Sequence, residues 1–409
     1  MRLFYLLCCL SLLACNTDKV GEKYRGWRSG EMDIHHIYTG RGESNFMIFP
    51  DGTSMLVDAG DHDPKYEDFP YMTKPMPDRS RRSGEWIARY ILRVNPHAEK
   101  VDYMMLSHFH NDHMGSSYHG ELTSGRTPNY HLSGLSHVGE WIRFGTAFDR
   151  GYPDYNYPTP LDKDGEINNF RAFLKYHASA YGLKQEKFEV GKLNQIALQH
   201  KPEKYADSFS IRNLAANGEI WNGEGEGTTR YYDLNPANTQ GGQNENTKSI
   251  AIRIDYGPFS YYTGGDLTHG VRDAEGKSIN LEAVTGQICG EVDVCKSNHH
   301  AYRDSMHEKF LESVKAKHYI NCTWDLQHTQ PQIMQRTLSK SDCLIFHQYL
   351  WPEVMAKHEG EEWTKSVIEQ GHIVVKVFDK GRKYKIYILS AEDENMTIKA
   401  IYGPYDSQK

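Results

Sequence analysis

The stretch from Val101 to Gly115, VDYMMLSHFHNDHMG, restricts this chain more than any other. Apolar Met104, Met105 and Leu106 end a β-prone run, and His108, His110, Asp112 and His113 follow at once. Three imidazoles and a carboxylate at the end of a buried strand are costly unless a cation holds them together. Imidazole suits zinc or iron, and a carboxylate is compatible with either. In extended backbone, residues two apart face the same way. His108 and His110 can therefore grip one ion, and Asp112 and His113, past a turn, a second. A lone surface histidine is usually just solvated, but four ligand-type side chains packed this closely are better explained by metal.

Two later strand patterns end in similar chemistry. In 250–255, Ile250, Ile252 and Ile254 alternate with Ala251, Arg253 and Asp255, the signature of a strand with one buried face. A Gly257-Pro258 turn and a second apolar run lead to Gly264-Gly265-Asp266. Val292-Asp293-Val294 then precedes Asn298-His299-His300. Adjacent residues at a strand end point opposite ways, so one histidine would ligate while the other faces substrate. Either order is open. Earlier in the chain, two β-prone runs around Pro50-Asp51-Gly52 read as a hairpin ending in Val57-Asp58-Ala59-Gly60.

HxHxDH after an apolar strand resembles the metal signature of the metallo-β-lactamase fold. With the motifs above, the resemblance runs from about residue 33 to 338. It implies an α/β, four-layer αββα sandwich with metals in a cleft at one edge of two packed sheets. In that family the Asp58 position sits behind the metals and orients a ligating histidine, as imidazole ligands require. The Asp266 position bridges the two ions. The His-His pair and Asn-x-x-Ser before Asp266 resemble the branch containing the hydrolase domain of DNA-uptake competence proteins and the teichoic-acid phosphorylcholine esterases. Ala301-Tyr302 replaces that branch's Gly-Ser, a departure at the substrate pocket. His328 falls where the branch has its last His-Pro motif, with Thr329-Gln330 intervening before Pro331. Many members carry a further ligand histidine between the first cluster and the bridging aspartate. His119, His131, His137, His177 and His200 qualify by residue type alone.

The expected division of labour gives His108, His110 and His300 to one ion. Asp112, His113 and His328 hold the other, Asp266 is shared, and His299 is left to protonate a leaving oxygen or to bind the transition state. With nitrogen and oxygen ligands and no cysteine, two divalent ions fit, zinc first, manganese or iron as alternatives. A water shared between them would ionise near pH 7, down from about 15.7 in bulk, and attack a phosphoester. The resemblance therefore implies a metal-dependent phosphodiesterase-like hydrolase. Small-molecule or cell-wall phosphoesters, phosphocholine decorations and extracellular nucleotides are the substrate classes. An amide or lactone hydrolase, β-lactam cleavage included, is the alternative on the same metals. A surface binding protein without turnover is the third reading.

Residues 1–14 have one arginine before an apolar run of signal-peptide length. Leu12-Leu13-Ala14-Cys15 resembles a bacterial lipobox, which implies export, lipidation at Cys15 and anchorage in a membrane through acyl chains. Residues 15–32 would then be a tether, 33–350 the hydrolase domain with an insertion at about 116–243, and 351–409 a helix plus β-rich extension. Helices are expected at 84–95, 170–181, 306–314 and 361–370, the first from Trp86, Ile87, Tyr90, Ile91 and Val94 at helical spacing. Arg79, Arg81 and Arg82 in the preceding loop are candidates to hold a phosphate. A formal net charge of −7 gives no basis for a general polyanion binder, and no nucleic-acid partner is expected. Cys289, Cys295, Cys322 and Cys343 lack zinc-ribbon spacing and read as buried thiols or one bridge.

Overall fold

The structure is a computed structural model that describes residues 18–62, 69–116, 122–157, 160–231, 244–272, 277–328, 330–368 and 370–408. Two nine-stranded sheets dominate. The first runs Ile398–Asp406, Lys383–Leu389, His372–Phe378, Met32–His36, Asn45–Ile48, Ser54–Val57, Lys100–Leu106, Arg143–Asp149, Lys184–Lys187. The second runs Val367–Ile368, Leu344–His347, His318–Asn321, Val294–Lys296, Phe259–Thr263, Ala251–Tyr256, Phe209–Ala216, Glu219–Trp221, Thr228–Arg230.

Three apolar layers stack through the molecule. Between the sheets, Met32, Ile34, Met47 and Val57 pack with Ile252, Ile254, Phe259 and Val294. Outside the first sheet lie the helices Ser83–Val94, Gly134–Val138 and Gly165–Tyr181, and outside the second Leu281–Cys289, Glu308–Val314 and Pro331–Lys340. The result is a four-layer αββα sandwich, built from alternating strands and amphipathic helices. In helix Ser83–Val94 the buried face is Trp86, Ile87, Tyr90, Ile91 and Val94. Each such side chain contributes about 1.5–3 kcal/mol on burial. Pro96 forces Asn95 out of the helical region, which ends the helix.

Around the middle of each sheet the strands are parallel. Ser54–Val57, Lys100–Leu106 and Arg143–Asp149 run together in one; Phe259–Thr263, Val294–Lys296 and His318–Asn321 run together in the other. Polar side chains placed just past those carboxyl ends collect along one edge, where open α/β sheets bind ligands.

The boundaries differ from the sequence expectation in several places. Residues 21–24, expected in a tether, are tied to the last strand by Gly21 N donating to Ile398 O and Tyr24 N to Met396 O, and Tyr24 is buried. Residues 116–243, the expected insertion, supply strands to both sheets. The C-terminal strands extend the first sheet, where His372–Phe378 pairs with Met32–His36 through five registered residues. The helix expected at 361–370 is a 3-10 turn, Glu362–Ser366, since Val367-Ile368 pair as an edge strand with Ile345-Phe346. Helix Gly165–Tyr181 starts earlier than its apolar spacing suggests, capped by Asp164 and closed by left-handed Gly182. All four described cysteines are buried free thiols. The leader and Cys15 lie outside the described residues.

Candidate metal centre

Strand Lys100–Leu106 hands the chain to Ser107 and His108, and His110 then caps the short helix Asn111–Met114. Asp58, at the end of the neighbouring strand, adopts φ 60°. Its carboxylate accepts from Ser107 N and Oγ, both at 2.7 Å, and from His113 Nδ1 at 2.8 Å. That contact fixes the His113 tautomer and leaves Nε2 as a bare lone pair facing the cleft.

The second sheet supplies the opposite wall. Asp266 follows a turn in which Gly265 has φ 53° and Ser249 Oγ accepts from Asp266 N at 3.2 Å. After strand Val294–Lys296, the residues His299, His300 and Ala301 take φ of 42°, 51° and 59°. Left-handed backbone costs an L-residue about 1–2 kcal/mol, so this turn stores on the order of 3–6 kcal/mol. The extended geometry expected for the histidine pair is absent, and with it the reason for opposed side chains: both rings lie on the cleft side, 6.1 Å apart. His300 Nδ1 donates to Cys322 O at 3.0 Å, so its Nε2 is also a bare lone pair.

Those two Nε2 atoms stand 3.3 Å apart. Asp266 Oδ1 is 3.1 Å from His113 Nε2, and Asp266 Oδ2 is 3.4 Å from His300 Nε2. Asp112 Oδ2 is 3.1 Å from His300 Nε2 and 3.7 Å from His113 Nε2. Lone pairs and carboxylate oxygens at such separations repel unless positive charge lies among them. His108 and His110 make a second such group. Ser107 Oγ gives its proton to Asp58 and accepts from His108 Nδ1 at 3.1 Å. His108 Nε2 is thereby left 3.1 Å from His110 Nδ1 and 3.8 Å from Asp266 Oδ2. The cluster fits two metal ions.

Its electrostatics say the same. Burial opposes charge on Asp266, yet His113, His300 and His299 outweigh burial and hold the carboxyl well below its ordinary range. Asp112 behaves alike, with His113 and His300 overcoming burial. Burial also disfavours charged imidazole, but Asp266 and Asp112 push His300 up to about 9 and His113 well above its usual value. Without metal, those two rings keep protons; with metal, a cation supplies the same charge.

One group consists of His108, His110 and Asp266, the other of Glu43, His113, His300 and Asp266, with Asp112 beside it. Asp266 belongs to both. His300 therefore sits with the second position and not with the first, where the sequence reading put it, because the left-handed turn swings its ring across to His113. His328 joins neither group: it lies flat against His300, ring centroids 4.6 Å apart, and its Nδ1 accepts from Trp324 N. His299 lies at the rim, Nε2 3.8 Å from Asp266 Oδ2 and Nδ1 2.6 Å from Asp304. No intermediate histidine joins the cluster among the described residues. His131 is exposed, His137 and His177 sit in helices over the first sheet, and His200 pairs with Asp102; His119 lies outside the described residues. Asn246 stands beside the cluster instead, its Nδ2 3.1 Å from His299 Nε2. The arginines of the preceding loop are engaged elsewhere, Arg81 with Glu85 and Arg82 with Asp61.

Several supports escaped the sequence reading. Lys296 is fully buried, 2.8 Å from Glu43 and donating to Gly265 O at 2.6 Å. Glu43 Oε2 also lies 3.4 Å from His300 Nδ1, the nitrogen turned away from Asp266. Glu43 thus orients His300 from behind and is not a ligand, since one ion cannot meet both ring nitrogens. The only available signal was a lysine inside an otherwise apolar strand. His62 packs on Trp324 at 4.2 Å, and burial lowers its pKa to about 4.

The candidate metal-binding residues lie at the shared edge of the two sheets of the sandwich. No family model and no curated protein matches the chain. Among solved structures it is similar to a point mutant of CmlA beta-hydroxylase, at 11% identity and a TM-score of 0.40. The match covers 78% of this chain and 52% of that one, so the chain spans about half the length of that protein.

Proposed function

We propose that this chain is a metal-dependent hydrolase of phosphoesters, anchored at the cell envelope through a lipid on Cys15. The facing Nε2 lone pairs of His113 and His300, 3.3 Å apart and backed by acceptors on their far nitrogens, carry the metal reading. Two bound divalent ions would supply Lewis-acid polarisation of a phosphoryl oxygen and a water ionised near neutral pH. The chain's own contribution is orientation and proton handling. Asp58, Glu43 and Cys322 O fix the tautomers of His113 and His300, and Asp266 turns Oδ1 to His113 and Oδ2 to His300 and His108. His299 gives its Nδ1 proton to the Asp304 hydrogen bond, which leaves Nε2 able to take a proton and return it to a leaving oxygen.

The phosphoester assignment rests on the His299-His300 pair and the Asn246-x-x-Ser249 placement beside Asp266, both features of the branch the sequence resembles. The envelope assignment rests on the leader and lipobox pattern, and no helix among the described residues is long and apolar enough to cross a membrane. The test is a substrate panel on purified protein: bis-p-nitrophenyl phosphate, p-nitrophenyl phosphorylcholine, nitrocefin and a lactone, alongside metal analysis. The expected result is close to two metal equivalents with phosphoester cleavage, and Asp266→Ala losing both. Turnover of nitrocefin or the lactone alone would replace this reading with an amide or lactone hydrolase. Bound metal with no turnover would leave a binding protein.

A further inference from the structure

Behind the turn that bears His299 and His300 lies a carboxylate that the chemistry above does not use. Glu282 is the second residue of helix Leu281–Cys289 and is fully buried. Its Oε1 accepts from Asn298 Nδ2 at 3.0 Å and from Met306 N at 2.7 Å; its Oε2 accepts from His307 N at 2.9 Å. No lysine or arginine is ion-paired with it among the described residues. Burial pushes its carboxyl up to about 7.

All three donors come from one short segment, 298–307. Asn298 opens that segment and Met306-His307 close it, so a single side chain holds both ends. Inside it run left-handed His299, His300 and Ala301, and Met306 near its end is left-handed as well, with φ 53°. Ser305 Oγ donates to Asn298 O at 2.8 Å, and His299 reaches Asp304 at 2.6 Å. A strained conformation of this kind persists only where the surroundings over-determine it. The residue type matters as well as its position. Three N–H donors require two acceptor oxygens, which a carboxylate offers and an amide does not.

We propose that Glu282 is a positioning residue for the metal centre: by clasping both ends of the 298–307 loop it sets the left-handed turn that aims His300 at the second metal position and places His299 at the rim. The proposal rests on the metal reading given above. Glu282 touches neither ion nor substrate, and it acts through Asn298 and the backbone at 306 and 307.

The experiment uses full-length protein stripped with chelator and titrated with zinc against a chromogenic chelator, with melting curves and steady-state kinetics on bis-p-nitrophenyl phosphate. In Glu282→Gln, one of the two zinc affinities should fall ten- to hundredfold, the usual effect of losing a group that orients a ligand, and kcat should fall with KM little changed. Asp293→Asn is the control, because Asp293 is equally buried and accepts from Ser260 N and Gln408 N without touching the loop. It should lower Tm while leaving both zinc affinities within twofold. Should Glu282→Gln fail to fold, Asn298→Ala reads the same contact from the donor side and should also weaken one zinc. Unchanged zinc binding in the folded variant, or equal weakening in Asp293→Asn, overturns the proposal. Wild-type protein that retains no zinc overturns the metal reading itself, and Glu282's role with it.

Discussion

Lys296 and Glu43 form an ion pair with neither side chain exposed, and its disruption gives a prediction that the geometry quantifies. Nζ and Oε2 are 2.8 Å apart, with both side chains at 0% exposure. Lys296→Met removes the cation and strands the Glu43 carboxylate, which keeps only Asn45 Nδ2 at 2.7 Å and the longer contact to His300. Breaking a buried pair from one side costs about 3–5 kcal/mol. Gly265 O also loses its donor, adding roughly 1 kcal/mol. Against a total stability of about 5–15 kcal/mol, the single variant should lie near the threshold of folding. The double variant Glu43→Leu/Lys296→Met removes both charges, leaves only Gly265 O without its donor, and should recover all but about 1–2 kcal/mol, as apolar replacements of buried pairs do. Urea unfolding of chelator-stripped wild type, both singles and the double closes the cycle. A single-variant loss below about 1 kcal/mol, or a double-variant loss equal to the sum of the singles, would refute the claim that this pair is electrostatically closed.

Gly265→Ala should cost about 2–4 kcal/mol, because a Cβ there meets Ser107 Cβ and Oγ at 2.8 Å on backbone at φ 53°; unchanged Tm and metal content would count against the turn's role in placing Asp266. Acid should unfold the protein between pH 7.5 and 5: burial lowers His35 and His318 to about 4 and His36, His347 and His372 to about 3. Each contributes stability present above pH 6.5 and lost below it, about 2 kcal/mol at pH 5 and ~10 for the five. Groups raised in the folded state work the other way, gaining as pH falls: Glu282 at about 7 and, in metal-free protein, His300 at about 9 together return ~4 kcal/mol, and His113, raised by Asp266 and Asp112 against burial, acts in the same direction. Urea midpoints at the two pH values test the net loss, and a flat profile would contradict it.

The parts of this molecule that were legible share one property, which is that their signal is local. His108, His110, Asp112 and His113 sit within one strand end and one short helix, and Asp266 follows a hairpin whose alternation is plain in 250–263. Where a partner comes from far along the chain, the sequence is silent. Met32–His36 pairs with His372–Phe378 across more than three hundred residues, and nothing in either strand names the other. The membership of His300 was unreadable for a different reason. Two adjacent histidines are equivalent in the sequence, and only a left-handed backbone, unusual for L-residues, sends both rings toward the cleft. What the local pattern did contain, and periodicity discards, is charge in the wrong place. Lys296 is the last residue of a buried strand, Glu282 opens an apolar helix with its carboxylate inward, and Asp58 follows a strand in a conformation that suits glycine. Each is unfavourable where it stands by the rules that shape its own element. Each is found holding a backbone turn or an imidazole of the metal cluster, where that cost is offset by hydrogen bonds. Local rules are expected to fail at sites where function imposes geometry, and here the failures converge on one edge of the sandwich.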